Sequence, residues 1–177
     1  MSAQSGSEAS ASSREFRISR TFDAPRPLVF AAFSRPEYLA RWWGPRGFEI
    51  HVSKLEFSPG GIFHYRMAGP DSFEMWGRFV FREIVPTERI VIVNSFSDPA
   101  GNVVRGPFGP TLPLEILLTF TLAEQDAQTA LTLHAIPINA TAEEHATFED
   151  MFDSMQQGFG NSLDQLAVHL AEAQAPT

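Results

Sequence analysis

The sequence contains no cysteine. Disulfides, thiol nucleophiles and cysteine-ligated metals are therefore excluded at the outset. Positive charge is scarce as well: 13 Lys and Arg stand against 21 Asp and Glu, for a formal net charge of −8. Phosphate binding needs clustered cations, so neither a nucleic-acid partner nor an anionic membrane surface is expected. Long apolar runs are also missing. The longest aliphatic run, Ile90 to Val93, falls far short of the roughly 18 residues a membrane span requires. The first residues carry neither the basic start nor the apolar stretch of a secretory signal. A cytoplasmic location is expected.

What is present is enough chain for one domain: 177 residues, 44% of them apolar, with sixteen phenylalanines. Residues 1–13, nearly all Ser, Ala, Gly and Gln, cannot bury enough surface to offset their ordering entropy and are read as a disordered tail. A single domain over 14–172 and a disordered end at 173–177 complete the expected organisation.

Phe16 to Phe22 alternates apolar and polar residues, the period of a half-buried strand. Two short proline-initiated helices follow, one after Ala24-Pro25-Arg26-Pro27 and one from Pro36 to Trp42, ended by Gly44-Pro45. Strands are then expected at Phe48–Phe57, Ile62–Met67, Phe73–Ile84, Glu88–Phe96, Leu114–Leu122 and Ala130–Ile136. The segment Asp98–Pro113, rich in Gly and Pro, is read as a long loop and the polar run Ala123–Thr129 as the last hairpin connection. Phe148, Phe152, Met155, Phe159, Leu163, Leu166 and Leu170 recur at spacings of three or four, which predicts one long amphipathic helix opened by the capping box at Thr141. Hairpin-fed strands form an antiparallel sheet of about seven strands, and the helix must cover one of its faces: an α+β fold.

The Ser58-Pro59-Gly60-Gly61 turn suggests a register pairing Phe57 with Phe63, Leu55 with Tyr65 and Ser53 with Met67. Glu56 then lies opposite His64, and Lys54 opposite Arg66, on the polar face. On that register Phe73, Met75, Gly77, Phe79 and Phe81 continue the apolar face, with Leu114, Ile116, Leu118, Phe120, Leu122, Leu131 and Leu133 from the last hairpin. A curved sheet wrapped on one helix often fails to close. Tyr65, Met67, Met75, Phe79, Met155 and Phe159, with Phe152, would either line a cavity for an apolar ligand or fill the core. Of the adjacent Trp42 and Trp43, one is expected to plug the core and the other to lie at the rim, with Trp42 near one end of any cavity. Asn94 interrupts an aliphatic strand. With Tyr65, His51 and Glu115 it is among the few polar groups that could face such a cavity.

Chemistry beyond binding finds little support in the residues. His51, His64, His134, His145 and His169 do not converge: the expected register pairs His51 with Gly69, and His134 faces outward. No metal site or cofactor is expected. Ser95, Ser97 and Ser162 have no nearby histidine and no nucleophile elbow. Gly60-Gly61 and Gly106–Gly109 lack the Lys-Ser/Thr ending of a phosphate loop. Gly158 and Gly160, inside the terminal helix, are read as a close approach to the sheet or a bend. No catalytic residue can be assigned.

Arg41-Trp42-Trp43-Gly44-Pro45, Pro59-Gly60-Gly61, Pro86-Thr87-Glu88-Arg89-Ile90 and Met155-Gln156-Gln157-Gly158-Phe159 together resemble the Hsp90-ATPase-activator-homologue group of the START/Bet v 1-like (SRPBCC) superfamily. The resemblance spans roughly Phe16 to Leu170. It implies a helix-grip fold, with the sheet curled around the C-terminal helix and a cavity between them. It also implies one of three roles: binding a hydrophobic small molecule, in stress response or detoxification; a cyclase or hydrolase acting in the same cavity; or a chaperone-cofactor module. Relatives commonly carry Gly-Trp where this chain has Gly158-Phe159. A monomer or homodimer is expected.

Overall fold

The computed structural model describes residues 14–176. The tail expected at 1–13 lies outside the described residues. In chain order the elements are β1 (Phe16–Phe22), α1 (Arg26–Ala31), α2 (Pro36–Trp42), β2 (Glu49–Leu55), β3 (Ile62–Ala68), β4 (Glu74–Val85), β5 (Arg89–Ser97), β6 (Glu115–Gln125), β7 (Gln128–Ile138), α3 (Ala142–Asp150) and α4 (Phe152–Gln174). The seven strands form one sheet in the order β1-β7-β6-β5-β4-β3-β2, every neighbouring pair antiparallel. The short helices α1 and α2 connect the two outermost strands, and α4 lies across the inner face. This is the expected helix-grip architecture.

The hairpin register differs from expectation. Leu55 pairs with Phe63, and Lys54 with His64. After a bulge at Ser53, Val52 pairs with Tyr65, His51 with Arg66 and Ile50 with Met67. The apolar residues Ile50, Val52 and Leu55 are spaced by two and then three, and one extra residue in the strand is what puts all three on a single face. Phe57 leaves the ladder because the turn folds onto β4 instead: the Gly60 N–H donates to the Phe81 carbonyl at 2.6 Å, and the Phe81 N–H to that of Gly61 at 2.9 Å. Only glycine allows this at position 61, where a Cβ would lie 2.0 Å from the Glu56 carbonyl oxygen.

Five further expectations change. The last hairpin turns tightly at Asp126-Ala127, with Gln125 paired to Gln128; the flanking polar residues still pair through their backbones, so both strands run further. The long helix is two helices. α3 opens with the capping box of Thr141 and Glu144, ends at Asp150, and meets α4 at Met151 (φ −90, ψ 0). Gly158 and Gly160 lie within the continuous α4, and a Cβ at either would meet nothing within 4 Å. Neither glycine is required by close packing. α4 also runs on to Gln174, into the segment 173–177 expected to be disordered; the Gln174 amide donates to the Asp23 carbonyl at 3.1 Å. Leu114, expected on the inner face, precedes β6 and is exposed.

Packing is uneven along α4, and this positions the site. Its C-terminal half buries Leu163, Leu166 and Leu170 completely, whereas Met155 and Phe159 in its N-terminal half are only half-buried. The tight half is anchored through Gly44, whose carbonyl accepts from Ser162 Oγ at 2.9 Å and Gln165 Nε2 at 2.7 Å. Gly44 itself takes a left-handed φ of +102°, which favours glycine in the Trp-Trp-Gly-Pro stretch. Trp42 is sealed into the core with its indole N–H donating to the Ala32 carbonyl at 3.0 Å.

Candidate functional site

Between the sheet and the loose half of α4 lies a cavity of about 240 Å³. β3 and β4 supply Tyr65, Met67, Met75 and Gly77. β5 and β6 supply Asn94, Phe96, Ile116 and Leu118, while the helices supply Phe148, Met151, Met155, Gly158 and Phe159. Trp43 and Pro45 close one side, and Phe108, Leu112 and Leu114 from the loop between β5 and β6 border the other, with Phe108 and Leu114 exposed. No Asp, Glu, Lys, Arg or His lines it.

The sheet register explains this wall. Directly opposed residues of an antiparallel pair share a face. Met67 opposes Met75, Tyr65 opposes Gly77, and Gly77 opposes Phe96. With no side chain at Gly77, the Tyr65 ring lies across β4: a Cβ there would meet Tyr65 Cζ and the hydroxyl oxygen, each at 2.5 Å. The ring stacks on Phe63 at 4.8 Å between centroids. Burial pushes the Tyr65 phenol up to about 12, opposed in part by a hydrogen bond from the Trp43 side chain. The hydroxyl therefore keeps its proton and acts as a donor throughout the physiological range. Asn94 pairs with Phe79 and with Ile116, so its amide points into the same space.

Four methionines occur among the described residues, and all four line this cavity. Met67 and Met75 oppose each other on the sheet, and Met151 and Met155 sit one turn apart at the start of α4, where the Met155 N–H donates to the Met151 carbonyl at 2.8 Å.

Of the nine residues singled out from the sequence, Tyr65, Met67, Met75, Asn94, Met155 and Phe159 line the cavity, whereas Trp42, Phe79 and Phe152 do not. Trp42 is the core plug, and its neighbour Trp43 is the wall residue. Phe79 is enclosed by Trp43, Phe63 and Tyr65, at ring separations of 4.7, 5.1 and 5.8 Å. Phe152 packs on Phe16 and Phe148 instead, at 5.7 and 5.4 Å. Sequence reasoning missed Trp43, Phe96, Phe108 and Phe148. Phe108 and Leu112 lie in a loop without periodicity, where no pattern marks a lining residue.

The histidines are dispersed, and no group of three His, Asp or Glu residues that could hold a metal occurs among the described residues. His51 opposes Arg66 rather than Gly69. His64, on the outer face, is buried there by a stack on Trp76 at 4.9 Å and a 3.2 Å contact of its Nε2 with the Asp98 carbonyl. His134 lies near Glu15, its Nδ1 3.5 Å from the carboxylate.

A helix-grip domain with an apolar cavity under its terminal helix defines the class. The family model "Activator of Hsp90 ATPase homolog 1-like protein" matches residues 23–171, and the chain belongs to that family. Solved structures share the fold. A protein from Arthrobacter aurescens is 25% identical over 90% of this chain and 87% of its own, with a TM-score of 0.76. One from Mycobacterium smegmatis is 23% identical over 89% and 91%, with a TM-score of 0.73. One from Nitrosomonas europaea is 21% identical over 93% and 99%, with a TM-score of 0.74. No curated relative matches the sequence.

Proposed function

We propose that this protein binds a hydrophobic small molecule, flat or chain-like, in the cavity between the sheet and α4. The observation that carries the reading is a concave space of about 240 Å³, walled by aromatic, aliphatic and thioether side chains without a charge. Its volume lies just below the usual range of small-molecule pockets, which points to a compact ligand. Sequestration in the cytoplasm, as part of stress response or detoxification, is the role we attach to it.

Turnover is the weaker reading. A cyclase or hydrolase needs a group to accept a proton, and the lining offers no carboxylate, imidazole or amine, while the Tyr65 phenol is held protonated. The family's name refers to Hsp90, and a chaperone partner would need an exposed apolar surface. Val103, Val104, Phe108 and Leu114 are exposed in and beside the β5–β6 loop; two of them border the cavity, so we read them as its mouth.

A fluorescent apolar probe should bind at one saturable site. Met75→Trp, which fills the space, should abolish that binding, and His134→Ala on the outer face should leave it intact. Purely non-saturable binding, or unchanged affinity in a folded Met75→Trp variant, would reject the proposal.

A further inference from the structure

We infer that the ligand is uncharged and carries a hydrogen-bond acceptor of the carbonyl class, held between the Tyr65 hydroxyl and the Asn94 amide; this deepens the cavity-binding reading and rests on it. The geometry runs through Gly77. The Tyr65 hydroxyl occupies the place where a side chain at position 77 would stand. Gly77 opposes Phe96, and Phe79 opposes Asn94, so Gly77 and Asn94 are diagonal neighbours on one face of the sheet. Such neighbours lie about 7–8 Å apart at the backbone, and less between side chains reaching inward. One oxygen atom can accept from donors converging across that gap. The side-chain hydrogen bonds that anchor the tight half of α4 and the Trp42 plug run elsewhere, from Ser162 and Gln165 to Gly44 and from Trp42 to Ala32, and they leave the Asn94 amide to the cavity.

Charge selects as strongly as shape. A carboxylate or ammonium in this cavity would lose its water and find no counter-ion, because no ionisable side chain other than the protonated Tyr65 lines it. A wholly apolar molecule would fit, but would offer no acceptor to the Tyr65 hydroxyl proton or the Asn94 amide N–H groups. A neutral ketone, aldehyde, ester or amide on a flat apolar body meets both conditions.

Three probes of one shape test this: 2-acetylnaphthalene, 2-ethylnaphthalene and 2-naphthoate, titrated at neutral pH and followed by the fluorescence of Trp43, whose ring lines the cavity. The ketone should bind about tenfold more tightly than the hydrocarbon, the value of one well-made hydrogen bond. It should bind at least about a hundredfold more tightly than the carboxylate. In Tyr65→Phe, and separately in Asn94→Leu, the ketone-to-hydrocarbon ratio should fall toward one. If one variant fails to fold, the other and the wild-type ratios still decide. Saturable binding of the hydrocarbon with an affinity equal to the ketone's would overturn the acceptor handle and leave the apolar cavity standing. Tightest binding by naphthoate would overturn the neutral-ligand argument. Saturable binding of none of the three would reject the cavity reading and this inference together.

Discussion

Gly77→Ala is the smallest change that should move the largest part of the site. The added methyl would stand 2.5 Å from Tyr65 Cζ and from its hydroxyl oxygen, where ordinary carbon contacts need about 3.5–4.0 Å. The ring must therefore shift by roughly 1 Å or more. Phe63, stacked at 4.8 Å, blocks one direction, so the ring is driven toward the cavity. Overpacking of this kind costs about 1–3 kcal/mol. The cause can be isolated by a double-mutant cycle in chemical denaturation. Gly77→Ala should show its full cost in the wild-type background and little in Tyr65→Leu, which removes the atoms that clash. Saturable probe binding should weaken in the single mutant as well. An equal cost in both backgrounds would refute the argument and place the strain in the β4 backbone.

Phe79→Ala should destabilise by about 3–5 kcal/mol, because the ring is 2% exposed among other aromatic rings. Phe159→Ala should cost roughly 1–2 kcal/mol, because that half-buried ring already faces empty space; equal losses in denaturant titrations would contradict the cavity at that position. His169, buried on α4 with the Tyr38 ring at 4.9 Å, has its pKa lowered from 6.5, first by desolvation and then by the Arg41 charge, with Glu172 opposing. The folded state resists a proton that the unfolded chain accepts, so this contribution is complete above about pH 6.5 and is lost as pH falls below it. Denaturation midpoints of wild type and His169→Gln across that window should diverge, with the variant the flatter of the two.

Much of the architecture was legible because its signals are periodic. The alternation at Phe16–Phe22 and the common face of Met67 and Met75 each follow from one repeat, and the capping box at Thr141 from a fixed spacing. The bulge at Ser53 was not legible, because an alternating pattern has no sign for an extra residue, and the apolar spacing at Val52–Leu55 resembles noise until both strands are seen. The break at Met151 was hidden for a similar reason: Phe148, Phe152 and Met155 keep helical spacing across it. The cavity wall was half visible. Side chains on strands and helix could be assigned to a face by parity, but Trp43 and Phe108 enter from connections, where orientation is decided by contacts distant in sequence.

The gathering of Met67, Met75, Met151 and Met155 around one cavity gives the protein a particular chemical vulnerability. With no cysteine in the chain, these thioethers are its principal targets for peroxide. A sulfoxide converts a soft apolar wall group into a polar, chiral one. Met75, Met151 and Met155 are only half-buried, whereas Met67 is sealed, so oxidation should reach the helix pair and Met75 first. Mild peroxide would then abolish probe binding while the tightly packed half of α4 keeps the fold intact, and methionine sulfoxide reductase would restore it. Peptide mass mapping against residual affinity follows this directly: affinity should fall with sulfoxide at these three positions, well before the unfolding midpoint moves.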